Sequence, residues 1–400
     1  MTNIAEGINS SDNNPNKRVR KFILYVPGVN LTELHKRTPW IMLPISFQEI
    51  GYTSHLLCGR YSISSKFGFF VHELSKTKKR RNIMISIIEP FFAFRLVFKE
   101  RPNLVIISPF GSYLLPICFL ISIHRLIARL RRKEKTKYIL KLDWSLDYTG
   151  LGTVKTAFSL FFLFISTHIF DIVSTETYCG LDKAMNAPLV KQSVLSRVPI
   201  AYPQHFMELT PYENSPRENT ILCVARISRM KGQDILIKAF SLVSQKYKGW
   251  VVKFVGPIED AEFKIDLDKT IEDLSLKDRI FFTNFVDENR LKSEFNQASI
   301  FCLPSIHTES AGNVKYEAMA YGLPVITSDV PCRRDFEDLG CLVSKAGNVE
   351  ELSKNLGILM FNAKKRIDVS RASQQKLNSY LEVAKMYDAF SLNSISEDNY

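Results

Sequence analysis

Residues 304–329 read PSIHTESAGNVKYEAMAYGLPVITSD and hold the densest chemistry in the chain. Two carboxylates, Glu309 and Glu317, are separated by seven residues, with Gly312 between them. Glu309 closes the loop after an apolar run, and Glu317 falls in the first turn of the helix that follows. That strand end is where an open α/β sheet binds ligands. Gly312, Asn313 and Val314 offer backbone N–H groups at or just before the helix N-terminus, a ready anion site. A carboxylate at each end of an amide-lined loop suits a ligand with phosphate in its middle and hydroxyls at both ends, the layout of a nucleotide sugar. The plainer alternative is a Glu317 that only favours the helix dipole and a solvated Glu309.

A second cluster lies upstream in VARISRMKGQD, residues 224–234. Arg226 ends an apolar run, and Lys231 leads through a glycine into a helical pattern, so two cations point at one sheet edge. Arg grips phosphate oxygens in pairs and Lys acts as a point charge. The alternative is a solvated group of Arg226, Arg229 and Lys231. Two other signals carry less. Asp266-Leu267-Asp268 is a DxD string of the kind that binds metal, but it sits in a charged helical stretch rather than after a strand. His307 stands close enough to Glu309 in sequence to line a sugar pocket, or is a plain loop histidine.

The elements that must hold these residues alternate. In the first half, KFILYV (21–26) breaks at Pro27-Gly28, and LVIIS (104–108), YILKL (138–142) and DIVST (171–175) are further short apolar runs between helical stretches. Continuous apolar strands separated by helices are what a parallel sheet covered on both faces requires. Four prolines between residues 196 and 217 break the pattern. A second alternation starts at Thr220: strands at 221–226, 250–256, 279–285, 299–305, 324–329 and 340–344, with helices between them and over 349–363 and 371–392. The expected fold is α/β, with two Rossmann-like doubly wound domains and a cleft between them. The expected boundaries are a disordered tail at 1–19, an N-terminal domain at 20–200, a linker at 201–218 and a C-terminal domain at 219–375. A last helix at 376–400 is expected to cross back to the N-terminal domain.

Composition narrows the classes. With 46% apolar and 24% charged residues over 400 positions, the chain is neither disordered nor a small disulfide scaffold. Seven scattered cysteines without a CxxC read as buried free thiols in a reducing compartment. The start of the chain has no apolar core of a secretory signal. Residues 1–200 carry 28 Lys and Arg against 13 Asp and Glu, whereas residues 201–400 carry 25 against 28. Two apolar runs, 112–123 and 156–170, are 12 and 15 residues long without a charge. A spanning helix needs about 20 such residues, so these are core helices or a surface that dips into the headgroup region rather than spans.

With these residues in view, the second half resembles the donor domain of GT-B glycosyltransferases, specifically glycosyltransferase family 4. Ala225-Arg226 and Lys231-Gly232 match its Gly/Ala-Arg…Lys-Gly signature. Glu309 through Val325 matches its paired glutamates followed by Glu-Ala-Met-Ala-x-Gly-x-Pro-Val. The resemblance covers roughly residues 219–345. It implies that Glu309 contacts donor sugar hydroxyls and that Glu317 holds the ribose. It gives Arg226 and Lys231 the diphosphate, with the amides of Gly312, Asn313 and Val314 beside them, and places the base near Phe285 and Val286. Ser310-Ala311 departs from the family's Gly-Phe and leaves the sugar open. The reaction it implies is retaining and metal-independent, with no cofactor beyond a UDP- or GDP-linked donor sugar as substrate.

The first half resembles an acceptor domain in layout only. Gly28 stands where the family has a Gly-rich first loop, without the second glycine. No His occupies the segment after YILKL, so Asp143 or Asp147 would receive the acceptor's proton or orient its hydroxyl, unless it merely caps the next helix. Glu176 is a similar candidate. Basic runs at 76–81 and 125–137 are solvated helix faces or attract anionic lipid headgroups. A lipid-linked (polyprenyl diphosphate) or glycan acceptor at an anionic membrane surface accounts for the charge and the apolar runs together. The expected setting is cytoplasmic, peripheral at the inner face of the plasma membrane, in surface polysaccharide or glycoconjugate assembly. The alternatives are a nucleotide-sugar epimerase of GT-B-like fold and a basic nucleic-acid- or membrane-binding protein without enzymatic activity. No RNP-like or helix-turn-helix signature supports nucleic acid as a partner.

Overall fold

The computed structural model describes residues 19–32, 38–64, 66–74, 83–108, 113–131, 135–142, 153–198, 209–307, 313–330, 332–380 and 382–392. The chain divides into two compact units: Met1–Gln204 together with Tyr380–Tyr400, and His205–Ser379.

The first unit runs β1 (Arg20–Thr32), α1 (Pro39–Glu49), β2 (Tyr52–Ser62), β3 (Phe70–Glu73), α2 (Ile83–Glu100), β4 (Leu104–Ile107) and α3 (Leu114–Leu130). It continues with β5 (Lys137–Leu142), α4 (Thr153–Ile169), β6 (Ile172–Thr175), α5 (Tyr178–Met185) and β7 (Leu195–Arg197). All seven strands are parallel, in the order β3-β2-β1-β4-β5-β6-β7. Alternate residues of β1 serve opposite faces. Ile23 and Tyr25 join a core with Phe94 of α2, Ile117 and Ile121 of α3 and Leu163 of α4. Phe22 stacks on Phe47 of α1 at 3.9 Å, on the other face.

The last helix of the chain, α13 (Val383–Leu392), belongs to this unit. Asp388 accepts two bonds from the Arg20 guanidinium, at 3.0 and 2.9 Å, and a bond from the Tyr52 hydroxyl, while the Tyr387 hydroxyl meets Ser174 at 3.1 Å.

The second unit runs β8 (Thr220–Val224), α6 (Gln233–Ser244), β9 (Val251–Val255), α7 (Ala261–Asp273), β10 (Ile280–Thr283) and α8 (Glu288–Gln297). It continues with β11 (Ile300–Leu303), α9 (Asn313–Ala320), β12 (Val325–Ser328), α10 (Arg333–Glu337), β13 (Leu342–Ser344), α11 (Val349–Phe361) and α12 (Ala363–Tyr380). Its six strands are parallel in the order β10-β9-β8-β11-β12-β13. Strand order reverses between β8 and β11, the switch point at which doubly wound sheets bind ligands.

Several expectations are corrected. The first strand does not stop at Pro27-Gly28. It shifts register between Val26 and Asn30 and pairs with β2 as far as Ser62. Its pairing with β4 ends at Tyr25, and Pro27 falls inside the register irregularity, where no ladder partner requires its missing N–H. Strands β2 and β3 went unread because YTSHLLCGRYS and FVHE mix polar with apolar residues. The run read as one helix over 371–392 is two, α12 and α13, and the break falls where the chain passes from the second unit to the first. The 156–170 run is α4, and the 112–123 run lies mostly in α3. No helix among the described residues is long and apolar enough to cross a membrane. Six cysteines are buried, Cys179 is half-buried, and all seven are free thiols.

Arg217 ties the entry of the second unit to its sheet. Its guanidinium donates to the carbonyls of Tyr212, Phe295, Asn296, Ala298 and Tyr321 at 2.7 to 3.1 Å and lies over the Tyr212 ring. Replacing it leaves several part-buried carbonyls without a donor. Arg217→Met is expected to lower the urea unfolding free energy by about 3 kcal/mol, with the denaturant slope unchanged.

Candidate functional site

The two sequence clusters meet at the β8/β11 switch point. Past β8 the chain forms a short 3-10 turn, Arg229–Lys231, and enters α6 through Gly232. Gly232 has φ +69°, and a Cβ there would lie 2.1 Å from the carbonyl oxygen of Pro304, the residue after β11. The Ile306 amide then donates to the Met230 carbonyl at 2.9 Å, closing the two loops on each other. The loop after β9 presses in from the other side. Gly256 has φ +146°, and a Cβ there would be 2.2 Å from the Ala225 carbonyl oxygen. The Ile227 amide donates to Pro257, and the amides of Glu259 and Asp260 donate to Ile227. Any side chain at either glycine would push Arg226 or Lys231 out of place.

Arg226 is exposed, and its guanidinium is held by the Glu259 carboxylate. Lys231 is half-buried; desolvation, with Arg226 nearby, lowers its ammonium to about 8. Gln233 is fully buried: its amide NH2 donates to the Arg226 carbonyl at 2.9 Å, and its Oε1 has no hydrogen-bond partner among the described residues. The Ser305 hydroxyl, also buried, has none either. Both residues lie at the strand-order reversal, the edge where doubly wound sheets take ligands.

On the β11 side, the described part of α9 runs from Asn313 and contains Val314 and the half-buried Glu317. Beneath that turn lies Lys315, fully buried and missed as a feature in the sequence. Its Nζ donates to Thr327 Oγ1 at 3.3 Å, and that hydroxyl donates to the Leu303 carbonyl at 3.1 Å. The ammonium stands 3.8 Å from the centre of the Phe336 ring. It is lowered to about 7, chiefly by desolvation and also by Lys231, against the opposing pull of Cys341 and Asp335. A lysine inside a short apolar helix looks like a solvated face in a sequence, and only the packing of α9 on β12 and α10 reveals it.

Glu309, Gly312, Asp143 and Asp147 lie outside the described residues. Phe285 is exposed and Val286 half-buried, both just past the C-terminal end of β10. Gly28 is not in a loop but within β1. Glu176 is not an open carboxylate: it is buried against the Lys141 ammonium at the ends of β6 and β5. The DxD string lies on α7, where Asp266 pairs with Arg229 and Asp268 with Lys264, while Leu267 is buried. No group of three or more His, Cys, Asp or Glu able to hold a metal occurs among the described residues. His307 is exposed at the end of the β11 loop.

Comparison with known proteins agrees with this geometry. Residues 210–376 match the family described as glycosyl transferases group 1. An uncharacterized glycosyltransferase of Haemophilus influenzae is 27% identical over 252 residues, 61% of this chain and 66% of that protein. The O-antigen biosynthesis glycosyltransferase WclY of Escherichia coli is 26% identical over 147 residues, 37% of this chain and 38% of its own. The alignments span 66%, 44% and 28% of the length of the first three such relatives. Among solved structures, Anabaena HepE in complex with UDP and glucose superposes with a TM-score of 0.64 at 14% identity, over 93% of this chain and 99% of that one. The second unit thus matches the group 1 glycosyltransferase family model, and the fold is that of GT-B glycosyltransferase structures.

The buried Lys315 makes stability depend on pH in a defined direction. Its ammonium is disfavoured in the folded state, so between about pH 7 and 10.5 the unfolded chain binds more protons and folding gains as pH rises. Lys315→Met removes that gain. In urea titrations the variant is expected to be favoured over wild type at pH 6.5 and to lose about 2 kcal/mol of that advantage by pH 8.5. An advantage constant with pH would mean that Lys315 titrates normally.

Proposed function

We propose that this chain is a retaining, metal-independent glycosyltransferase of family 4. It moves a sugar from a UDP- or GDP-linked donor to a hydroxyl of a glycan or of a lipid-linked, polyprenyl diphosphate acceptor, in surface polysaccharide or glycoconjugate assembly. The observation that carries this reading is the clamping of the Arg226–Lys231 loop onto the loop that leads into α9, at the switch point of the second sheet. Support comes also from the WclY relative, named for O-antigen biosynthesis, and from HepE, solved with UDP and glucose.

In this reading the donor diphosphate lies across the β8/β11 edge. As the glycosidic bond to the nucleoside diphosphate breaks, negative charge gathers on the β-phosphate. Arg226 exchanges Glu259 for phosphate oxygens, Lys231 adds a point charge, and the amides of Gly312, Asn313 and Val314 complete the cradle. Those groups do the work that a metal ion does in other glycosyltransferases. Glu309 positions the sugar, Glu317 the ribose, and Phe285-Val286 border the base. The acceptor is taken by the first unit at the C-terminal ends of its strands, near Gly28, with Asp143 the candidate to orient its hydroxyl or take its proton. Glu176, being neutralised by Lys141, is set aside as a base. The chain works as a peripheral, cytoplasmic protein at the anionic inner face of the plasma membrane, where a lipid-linked acceptor would be found.

Glu309→Ala is expected to abolish transfer while thermal unfolding stays as in wild type; an active, well-folded variant would sink the assignment. Lys231→Met should lower kcat by about 10²–10³-fold, the usual effect of removing one charge-stabilising donor. Because Lys231 loses its proton near pH 8, kcat/KM should fall as pH rises through 8. In Lys231→Arg that descending limb should move to higher pH. A limb that stays in place would assign it to another group.

A further inference from the structure

Helices α2, α3 and α4 lie side by side on one face of the first sheet and share one core on their inner side. Their outer side is not what a solvated face looks like. On α2 the exposed positions Ile88, Phe91, Phe92, Arg95 and Lys99 recur at helical spacing and form one stripe. On α3 the corresponding stripe is Leu115, Phe119, Leu126, Arg129 and Leu130. On α4 it carries Phe158 and Phe161. These apolar side chains are 44% to 75% exposed. Singly exposed apolar residues are ordinary, but a contiguous aromatic and aliphatic face over three neighbouring helices marks an interaction surface.

Charge selects the partner. The three helices contain two acidic residues, Glu89 and Glu100. Glu89 is buried, and Glu100 is held by Lys21 at 2.8 Å. The exposed ionised side chains of the face are therefore basic: Arg95 amid the α2 aromatics, Lys99 at the end of α2, and Arg129 with Arg131 at the end of α3. A second copy of the chain docked face to face would bring these cations against each other. An anionic lipid surface meets both parts of the face, headgroups on the cations and acyl chains on the aromatics. No described helix can span, so the contact is shallow and parallel to the membrane plane. Helices that cover a parallel sheet run against its strands. The N-terminal halves of α3 and α4, with Leu115, Phe119, Phe158 and Phe161, therefore lie toward the C-terminal ends of the strands, the edge where such sheets take ligands.

We propose that the outer face of α2, α3 and α4 is a membrane-docking surface that seats the first unit on anionic phospholipid. It rests on the reading of a membrane-borne acceptor for its purpose, while the surface itself is read from exposure and charge.

The test is sedimentation of the full chain with vesicles of phosphatidylcholine alone or mixed with phosphatidylglycerol, alongside a nucleotide-sugar thermal shift on the same samples. Wild type should bind the mixed vesicles, and less so as salt rises. Phe92→Ser/Phe119→Ser/Phe158→Ser should lower partitioning at least about tenfold. Arg95→Gln/Arg129→Gln should lower it by about fivefold per charge removed. Phe119→Cys carrying a polarity-sensitive dye should shift to the blue on mixed vesicles, which reads the contact without weakening it. Absence of wild-type binding, equal binding by the triple Ser variant, or an unshifted dye each overturns the proposal. So does a wild-type dimer that the triple variant splits while vesicle binding stays the same, since the face would then join two copies. Vesicle binding through this face by a chain that no nucleotide sugar stabilises would leave the surface standing and overturn the glycosyltransferase assignment instead.

Discussion

The second unit is organised around one close approach, the backbone of Gly232 against the carbonyl of Pro304. A doubly wound sheet leaves a gap between its two central strands because their connections leave in opposite directions. Here the gap is drawn shut by two loops that touch backbone to backbone, which only glycine permits at that φ. The contact fixes where Lys231 and α6 begin and, through the Ile306 amide, where the chain leaves β11 for α9. Gly256 repeats the device on the β9 side and fixes Arg226. The positions of the cations thus follow from backbone packing more than from their own side-chain bonds.

That packing has an electrostatic cost. Lys231 and Lys315 are held partly or wholly out of water, near each other, and both are pushed down from the usual lysine range. Arg226 is held by Glu259, which balances one positive charge. An anion that brings oxygens to Lys231 and Arg226 together would stabilise both cations. The first unit solves a different problem with the same architecture. Its sheet buries mainly aliphatic residues on the inner side of α2, α3 and α4, while aromatic and aliphatic residues stay exposed on the outer side, where the nearby charges are basic.

Much of the second unit was legible in the sequence because its strands are mostly apolar and its glycines sit at the turns. ILCV, VVKFV, IFCL and VITS are strands in the structure as read. Arg226 and Lys231 stand out by type and spacing. What could not be read was long-range. Glu259 lies 33 residues from Arg226, and nothing local marks it as that residue's partner. Lys315 looks like surface, and its burial depends on Phe336 and Thr327, which are brought in by separate elements. In the first unit the signals were weaker at the source. β2 has polar residues among its buried positions, and β1 passes through Pro27 at an irregularity in its register with β2. Glu176 looked like an available base until the sheet set it against Lys141.

The central claim, that the β8/β11 edge holds a nucleotide-sugar diphosphate without a metal, has a direct measurement. Thermal unfolding of wild type and Glu317→Ala would be followed in EDTA with UDP-, GDP- and ADP-linked sugars. The account predicts that one nucleotide class raises the unfolding temperature of the wild type and that the Glu317→Ala variant loses the rise. No shift with any donor in EDTA, or an equal shift in the variant, would contradict it.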